Sequence, residues 1–197
     1  MIKVCEDNVR EHFLPEFLQF FGAGEEFHFE EKKDQGRGKA FFRSSAPVLK
    51  VKAKDQAPMI WSLSNKKCAE GAFITFERDG CKLHIIEMKM KMSHSRWVKA
   101  LLQLKGMYLT SLAVARLVGI SDFMEVICHV AYSEDAMSAD KVADPILIKG
   151  FVGTENPVGG NNEWTSETVS LPFGAIAKLN KGVRSNNGGQ DVDFGTI

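Results

Sequence analysis

Glu70, Glu87 and Lys89 are the residues whose types and spacing could do chemistry in this chain. Two carboxylates and an ammonium gathered at one end of an apolar hairpin suit a hard divalent cation. Mg²⁺ takes oxygen ligands, keeps several waters and is commonly held by one or two carboxylates together with a substrate phosphate. An acid-x-lysine step such as Glu87-Met88-Lys89 is common on solvated strands. Here it leaves the apolar run Leu83-His84-Ile85-Ile86, which reads as a strand covered on both faces.

The stretch Glu70–Lys91 must position these groups. Asp79-Gly80 lies between two alternating apolar runs, a strong hairpin signal because both turn residues tolerate positive φ. With Asp79 and Gly80 as the loop, Arg78 faces Cys81, Phe76 faces Leu83, Ile74 faces Ile85, Ala72 faces Glu87 and Glu70 faces Lys89. Residues two apart share a face about 6.6 Å apart along a strand, and directly paired residues share it too. Glu70, Glu87 and Lys89 therefore converge, with the small Ala72 leaving room between them. A register slip by an odd number of residues would put the two acids on opposite faces.

Apolar residues at Val9, Phe13, Leu14, Phe17, Leu18 and Phe21 predict a helix over Glu6–Phe21, able to start again at Pro15, with Gly22 and Gly24 at its end. Its polar side carries Glu11 and Glu16, either of which could complete a metal site. Phe27–Glu31 and Ala40–Lys54 read as extended. In the second, Leu49, Val51 and Ala53 alternate with Lys50, Lys52 and Lys54, predicting a basic outer face. Ser93-His94-Ser95 starts a helix that runs to about Val118, with Trp97, Ala100, Leu101, Leu104, Tyr108, Leu112 and Ala115 as its buried stripe. Arg96, Lys99 and Gln103 share a polar strip on it. Phe123–Tyr132 is the next strand, giving the order helix, three strands, helix, strand. Beyond it we expect a short helix at Ala136–Ala143, strands at Pro145–Val152 and Thr165–Leu171, and a mobile tail from Asn180.

The chain has 197 residues, 44% hydrophobic and 25% charged, as expected of one globular domain. No apolar run approaches the roughly 20 residues that span a bilayer, and the first residues lack the apolar segment of a signal peptide. We expect an intracellular, cytoplasmic protein that is not secreted. The four cysteines show no C-x-x-C pairing, which argues against a zinc site or a disulfide framework. A formal net charge of zero hides a division: Lys32–Lys105 holds 17 basic and 6 acidic residues, while both flanks are acidic. That concentration of positive charge suits a phosphate backbone.

With these elements in order, the chain resembles the PD-(D/E)xK nuclease superfamily over about residues 6 to 132. Members share an αβββαβ core with an acid at the start of the second strand, an acid-x-lysine in the third and often a glutamine in the following helix. Glu70 in AEGAFI, Glu87 and Lys89 in HIIEMK, and Gln103 in LLQLKGMYL match those positions. Glutamate at 70 stands where aspartate is usual, displacing the carboxylate by about 1.5 Å, one C–C bond.

The resemblance implies an α/β (α+β) restriction-endonuclease-like fold, with a mixed central sheet flanked by helices and a C-terminal β-rich embellishment. In domain terms, residues 1–150 form the core, 151–180 an extension of it and 181–197 a flexible tail. It implies a Mg²⁺- or Mn²⁺-dependent endonuclease acting on DNA in preference to RNA. Glu70 and Glu87 would be its metal ligands, Lys89 and Gln103 further catalytic residues, and Lys82, Lys91, Arg96 and Lys99 its nucleic-acid contacts. The C-terminal region would serve a homodimer or larger complex. The alternative is a non-catalytic protein of the same fold that binds nucleic acid or a partner protein.

Overall fold

The computed structural model describes residues 6–31, 37–52, 62–137, 161–184 and 191–197. The first helix, α1, spans only Glu6–His12, and the chain turns at Pro15 before strand β1, Leu18–Phe21. The helix expected over Glu6–Phe21 is thus corrected: the chain breaks at Pro15, where a restart was allowed for, but continues as a strand instead of a second helical segment. The Leu14–Phe17 turn closes with Phe17 N–H donating to Leu14 O (2.9 Å), and β1 then pairs antiparallel with β4 (Val48–Val51). Pairing with a strand thirty residues away decides the conformation of an apolar pattern that fits either period.

β2 (Glu26–Glu31) and β3 (Gly38–Arg43) form an antiparallel pair. The extended run expected over Ala40–Lys54 is two strands, β3 and β4, broken at residues 44–47 and divided between two sheets. β5 (Gly71–Phe76) and β6 (Cys81–Met92) make the central hairpin, α2 (His94–Leu117) crosses over, and β7 (Glu125–Asp135) returns parallel to β6. Helix α3 (Asn161–Ser166), β8 (Thr168–Ser170), a 3-10 turn (Pro172–Gly174), β9 (Ile176–Val183) and β10 (Val192–Thr196) complete the described chain.

The seven-stranded sheet runs β1-β4-β5-β6-β7-β9-β8 and the three-stranded sheet β10-β3-β2. The fold is therefore a mixed α/β (α+β) one. β6 explains its layering: Leu83 and Ile85 pack on the side of α2 with Trp97, Ala100 and Leu104, whereas Ile86 and Met88 face Phe27, Phe29 and Phe42 of the small sheet. Each such side chain contributes roughly 1.5–3 kcal/mol on burial. Helices were expected to flank the sheet; instead α2 covers one face and the small sheet the other. Being covered on both sides also corrects the basic outer face of β4. Lys50 is buried, donates to His28 O and sits over the rings of Phe29 (4.8 Å) and Phe21 (5.8 Å). Burial, with the Lys52 charge, lowers its pKa to about 8.

The tail expected to be mobile supplies strands. Lys181–Val183 continue β9, Arg184 is buried, and β10 pairs parallel with β3. The Thr165–Leu171 strand is shortened to β8. Ala136 and Met137 lie outside any helix, and the other elements expected between 138 and 152 fall outside the described residues. Cys68, Cys81 and Cys128 are buried, behaving as small apolar groups. No helix among the described residues is long and apolar enough to cross a membrane.

Between the two sheets lies a buried imidazole pair. The Asn180 amide lies 3.3 Å from His129 Nδ1, and His129 Nε2 lies 3.0 Å from His84 Nδ1. Phe73 stacks on His84 at 4.4 Å between centroids. Burial pushes the His84 pKa down to about 3 and that of His129 well below its ordinary value. The unfolded chain therefore binds protons below about pH 6.5 that the native chain refuses. The pair's contribution to stability is full above that pH and is lost as pH drops toward 3. His84→Phe is expected to flatten this acid limb in thermal unfolding measured against pH, and an unchanged limb would remove the pair as its cause.

Candidate active site

Glu70 stands immediately before β5, Glu87 is fully buried in β6, and Lys89, ion-paired with Glu87, keeps its side chain 20% exposed. The hairpin that joins them differs from the expected one. Phe76 pairs with Cys81, Ile74 with Leu83, Ala72 with Ile85 and Gly71 with Ile86. The loop is four residues, Glu77 to Gly80, with Glu77 N–H donating to Gly80 O (2.9 Å). Tertiary contacts set this register. Phe76 N–H donates to Pro47 O (3.0 Å), Met124 N–H to Cys81 O (2.9 Å), and Lys82 pairs with Glu77 (3.0 Å).

The shift is two residues along β6, so every side chain keeps its face. Glu70 now stands across from Glu87 instead of Lys89, and the two acids are nearer neighbours than expected. Burial, the Glu87 charge and a hydrogen bond with Glu31 raise the Glu70 pKa to about 9, with Lys89 pulling the other way.

Glu31 is the acid that reasoning from the sequence missed. It ends β2 and is buried, and its signal was the alternation Phe27, Phe29, Glu31, which carries one face of β2 inward. Gly71 permits the approach: a Cβ there would lie 2.4 Å from the Phe29 ring, so only glycine lets β2 cross β5 beside Glu70. Arg184 was missed as well. It is buried within electrostatic reach of Glu31, Asp191 and Glu70, and desolvation lowers its pKa against their pull. Glu11 and Glu16 are exposed and are not among the charges acting on Glu70.

Gln103 does not face open space. Its amide donates to Cys68 O (3.2 Å), and its backbone carbonyl accepts from Ala69 N–H (3.1 Å). Asn65 Nδ2 donates to Leu102 O (2.7 Å). Residues 65–69 are thereby held on α2, which fixes where Glu70 begins β5. Gly106 lets the backbone come that close, since a Cβ would meet Lys67 O at 1.8 Å. Gly106→Ala is expected to cost about 1–3 kcal/mol, as overpacked cores do. It should also lower any activity that depends on Glu70; thermal unfolding and a cleavage assay check both.

Among the basic residues, Lys91 pairs with Glu134, Arg96 Nη1 donates to Lys91 O (3.2 Å) and Lys99 is exposed on α2. These three lie near the carboxylate end of β6. Lys82 does not. It sits five residues before Glu87, about 17 Å along the strand, on the other face, engaged by Glu77 (3.0 Å) and Glu125 (3.7 Å).

Among the described residues, no group of three or more His, Cys, Asp or Glu forms a ready-made metal site. The donor chemistry nevertheless fits a hard cation. Glu31, Glu70 and Glu87 are oxygen donors crowded enough that one holds a proton far above the carboxylate range, a charge excess that a divalent ion would relieve. Neither a protein-family model nor a curated protein nor a solved structure matches this chain.

Proposed function

We propose that the chain is a metal-dependent nuclease of the PD-(D/E)xK type. It would hydrolyse phosphodiester bonds by internal cutting, in DNA in preference to RNA. The observation that carries this reading is the convergence of Glu70, Glu87 and Lys89 where β5 meets β6, with Glu31 joining them. Topology supports it. β4, β5 and β6 form an antiparallel meander, α2 crosses over and β7 returns parallel, the order of a restriction-endonuclease-like core. β1 to β3 are interposed after α1, and the small sheet takes the place of a second helical layer.

Glu70 and Glu87, with Glu31 as a third carboxylate, would hold Mg²⁺ or Mn²⁺, which polarises a phosphate and lowers the pKa of an attacking water. The Lys89 ammonium lies beside these acids and reaches solvent, where it stabilises negative charge building on the phosphate oxygens. Gln103 is a positioning residue: it holds Cys68 and Ala69, and through them the start of β5. Arg184, within electrostatic reach of Glu31 and Glu70, would offset part of their charge. Lys91, Arg96 and Lys99 attract the nucleic-acid backbone in a salt-dependent, sequence-independent way.

The test is conversion of supercoiled plasmid DNA to nicked and linear forms by the purified chain in Mg²⁺ or Mn²⁺, beside its Glu87→Gln variant. Cleavage lost in the variant supports the enzyme. Retained DNA binding without cleavage by either chain identifies a non-catalytic binding protein instead.

A further inference from the structure

We propose that Arg184 is a built-in cation standing in for a second metal ion, so that the carboxylate cluster holds one divalent cation and not two. This rests on the metal-dependent reading above and adds to it a residue from the far side of the sheet. Arg184 directly follows β9 and is 1% exposed. Its backbone N–H donates to Tyr132 O (2.7 Å), and Tyr132 stands between Lys89 of β6 and Val183 of β9. Arg184 therefore leaves the sheet at the level of Lys89, two strands away.

Its side chain is directed by alternation. Along β9 the Asn180 amide meets His129, and a Cβ at Gly182 would meet Phe194 and Val192, so the even positions face the small sheet and Arg184 is the next of them. Glu31, at the end of β2, enters the same space between the layers. It pairs with Gly38, and the next residue, Lys39, gives its backbone N–H to Asp191 Oδ1 (2.7 Å), which sets Asp191 beside that pair. Glu31, Asp191 and Glu70 are the acids acting on Arg184. A buried ion is costly without such company, and arginine, unlike lysine, keeps its charge when buried.

The charges then set the number of ions. Among the described residues the cluster has four acids, Glu31, Glu70, Glu87 and Asp191, and two bases, Lys89 and Arg184. With every acid ionised, one divalent ion brings the sum to zero. Two would leave an excess of two positive charges where Glu87 and Arg184 are shut away from water, which screens them least. Nearby charges are matched elsewhere: Glu30 faces Lys39 on the outside of the small sheet, and Lys181 pairs with Glu167 (3.0 Å).

Mn²⁺ titrated into the metal-free full chain, without nucleic acid and read by electron paramagnetic resonance of the free ion, tests this. Wild type is expected to bind one ion. Arg184→Gln should bind the first ion about tenfold more tightly and admit a second, because a repelling unit charge has gone. The sign is robust: binding adds two charges and displaces the Glu70 proton, so the cluster still ends one charge more positive. A merely structural arginine predicts the reverse, looser acids and weaker binding. Arg184→Lys, which keeps a charge, should stay at one ion with affinity nearer wild type. The wild-type count decides even if the glutamine variant does not fold. Two ions in wild type, or a folded Arg184→Gln chain that binds Mn²⁺ no more tightly than wild type, overturns the proposal. The two readings fail separately: one bound ion without plasmid cleavage sinks the nuclease alone, two ions with cleavage sink the role of Arg184 alone, and no binding at all sinks both.

Discussion

Glu87→Gln is expected to lower metal-dependent cleavage by about a thousandfold or more, roughly 4 kcal/mol of transition-state stabilisation. The size follows from position. Glu87 is fully buried, stands across from Glu70 and holds Lys89, so its charge would serve the proposed cation while acting on the facing acid and the lysine. Glutamine keeps the volume and removes only the charge. Stability should move by about 1–2 kcal/mol, because the Lys89 side chain reaches solvent and is not left buried alone. A second readout separates this from damage to the fold. The Glu87 charge is one of the causes raising the Glu70 pKa, so Glu70 should titrate lower in the variant. A correctly folded Glu87→Gln chain that cuts as fast as wild type would end the nuclease reading.

Glu70→Gln should abolish cleavage as well, yet change the stability of the metal-free chain below about pH 4.5 by less than about 1 kcal/mol and raise it progressively above that pH. At that pH the wild-type carboxyl carries a proton, and glutamine reproduces a neutral group able to donate to Glu31. The linkage has a definite sign. The folded pKa of about 9 lies above the ordinary 4.5, so the native state holds a proton that the unfolded chain has released. That stabilisation is complete below about pH 4.5 and is lost as pH rises toward 9, at up to about 1.4 kcal/mol per pH unit. The two buried histidines act in the opposite sense below about pH 6.5 and outnumber Glu70 there. The metal-free chain should therefore be most stable near that pH. Glu70→Gln should level the alkaline limb, and Mn²⁺ should stabilise wild type increasingly as pH rises, because ion and proton compete for one carboxylate. Thermal unfolding across pH, with and without Mn²⁺, measures both; an alkaline limb unchanged in the variant would assign the titration elsewhere.

Much of the site could be read from local pattern. α2 begins and ends where its start signal and Gly119 put it, and β6 carries the unbroken apolar run of a doubly covered strand. The shared face of Glu70, Glu87 and Lys89 survived a wrong register because the error was even and side chains alternate with period two. What escaped reading was set at long range. The loop grew to four residues because Pro47 and Met124 hold the strand ends. β1 became a strand because β4 offered it an edge. Lys50 turned inward because a second sheet covers its face, a layer that alternation within one strand cannot reveal. Glu31 was legible in principle, on the face marked by Phe27 and Phe29, but following it to Glu70 required knowing that β2 crosses β5 at Gly71.

The small sheet is closed by strands from opposite ends of the described chain: Lys39 N–H donates to Asp191 Oδ1 at 2.7 Å across 152 residues, and β10 lies alongside β3. Such non-local pairing forms late, because a long loop must close before any contact rewards it. Until β10 has been synthesised, β2 and β3 have an open edge and Glu31 sits on an unfinished sheet. The order of synthesis thus becomes an order of assembly. The central hairpin and α2 can collapse early around Glu70 and Glu87, while the sheet that carries Glu31 is completed only when β10 pairs with β3.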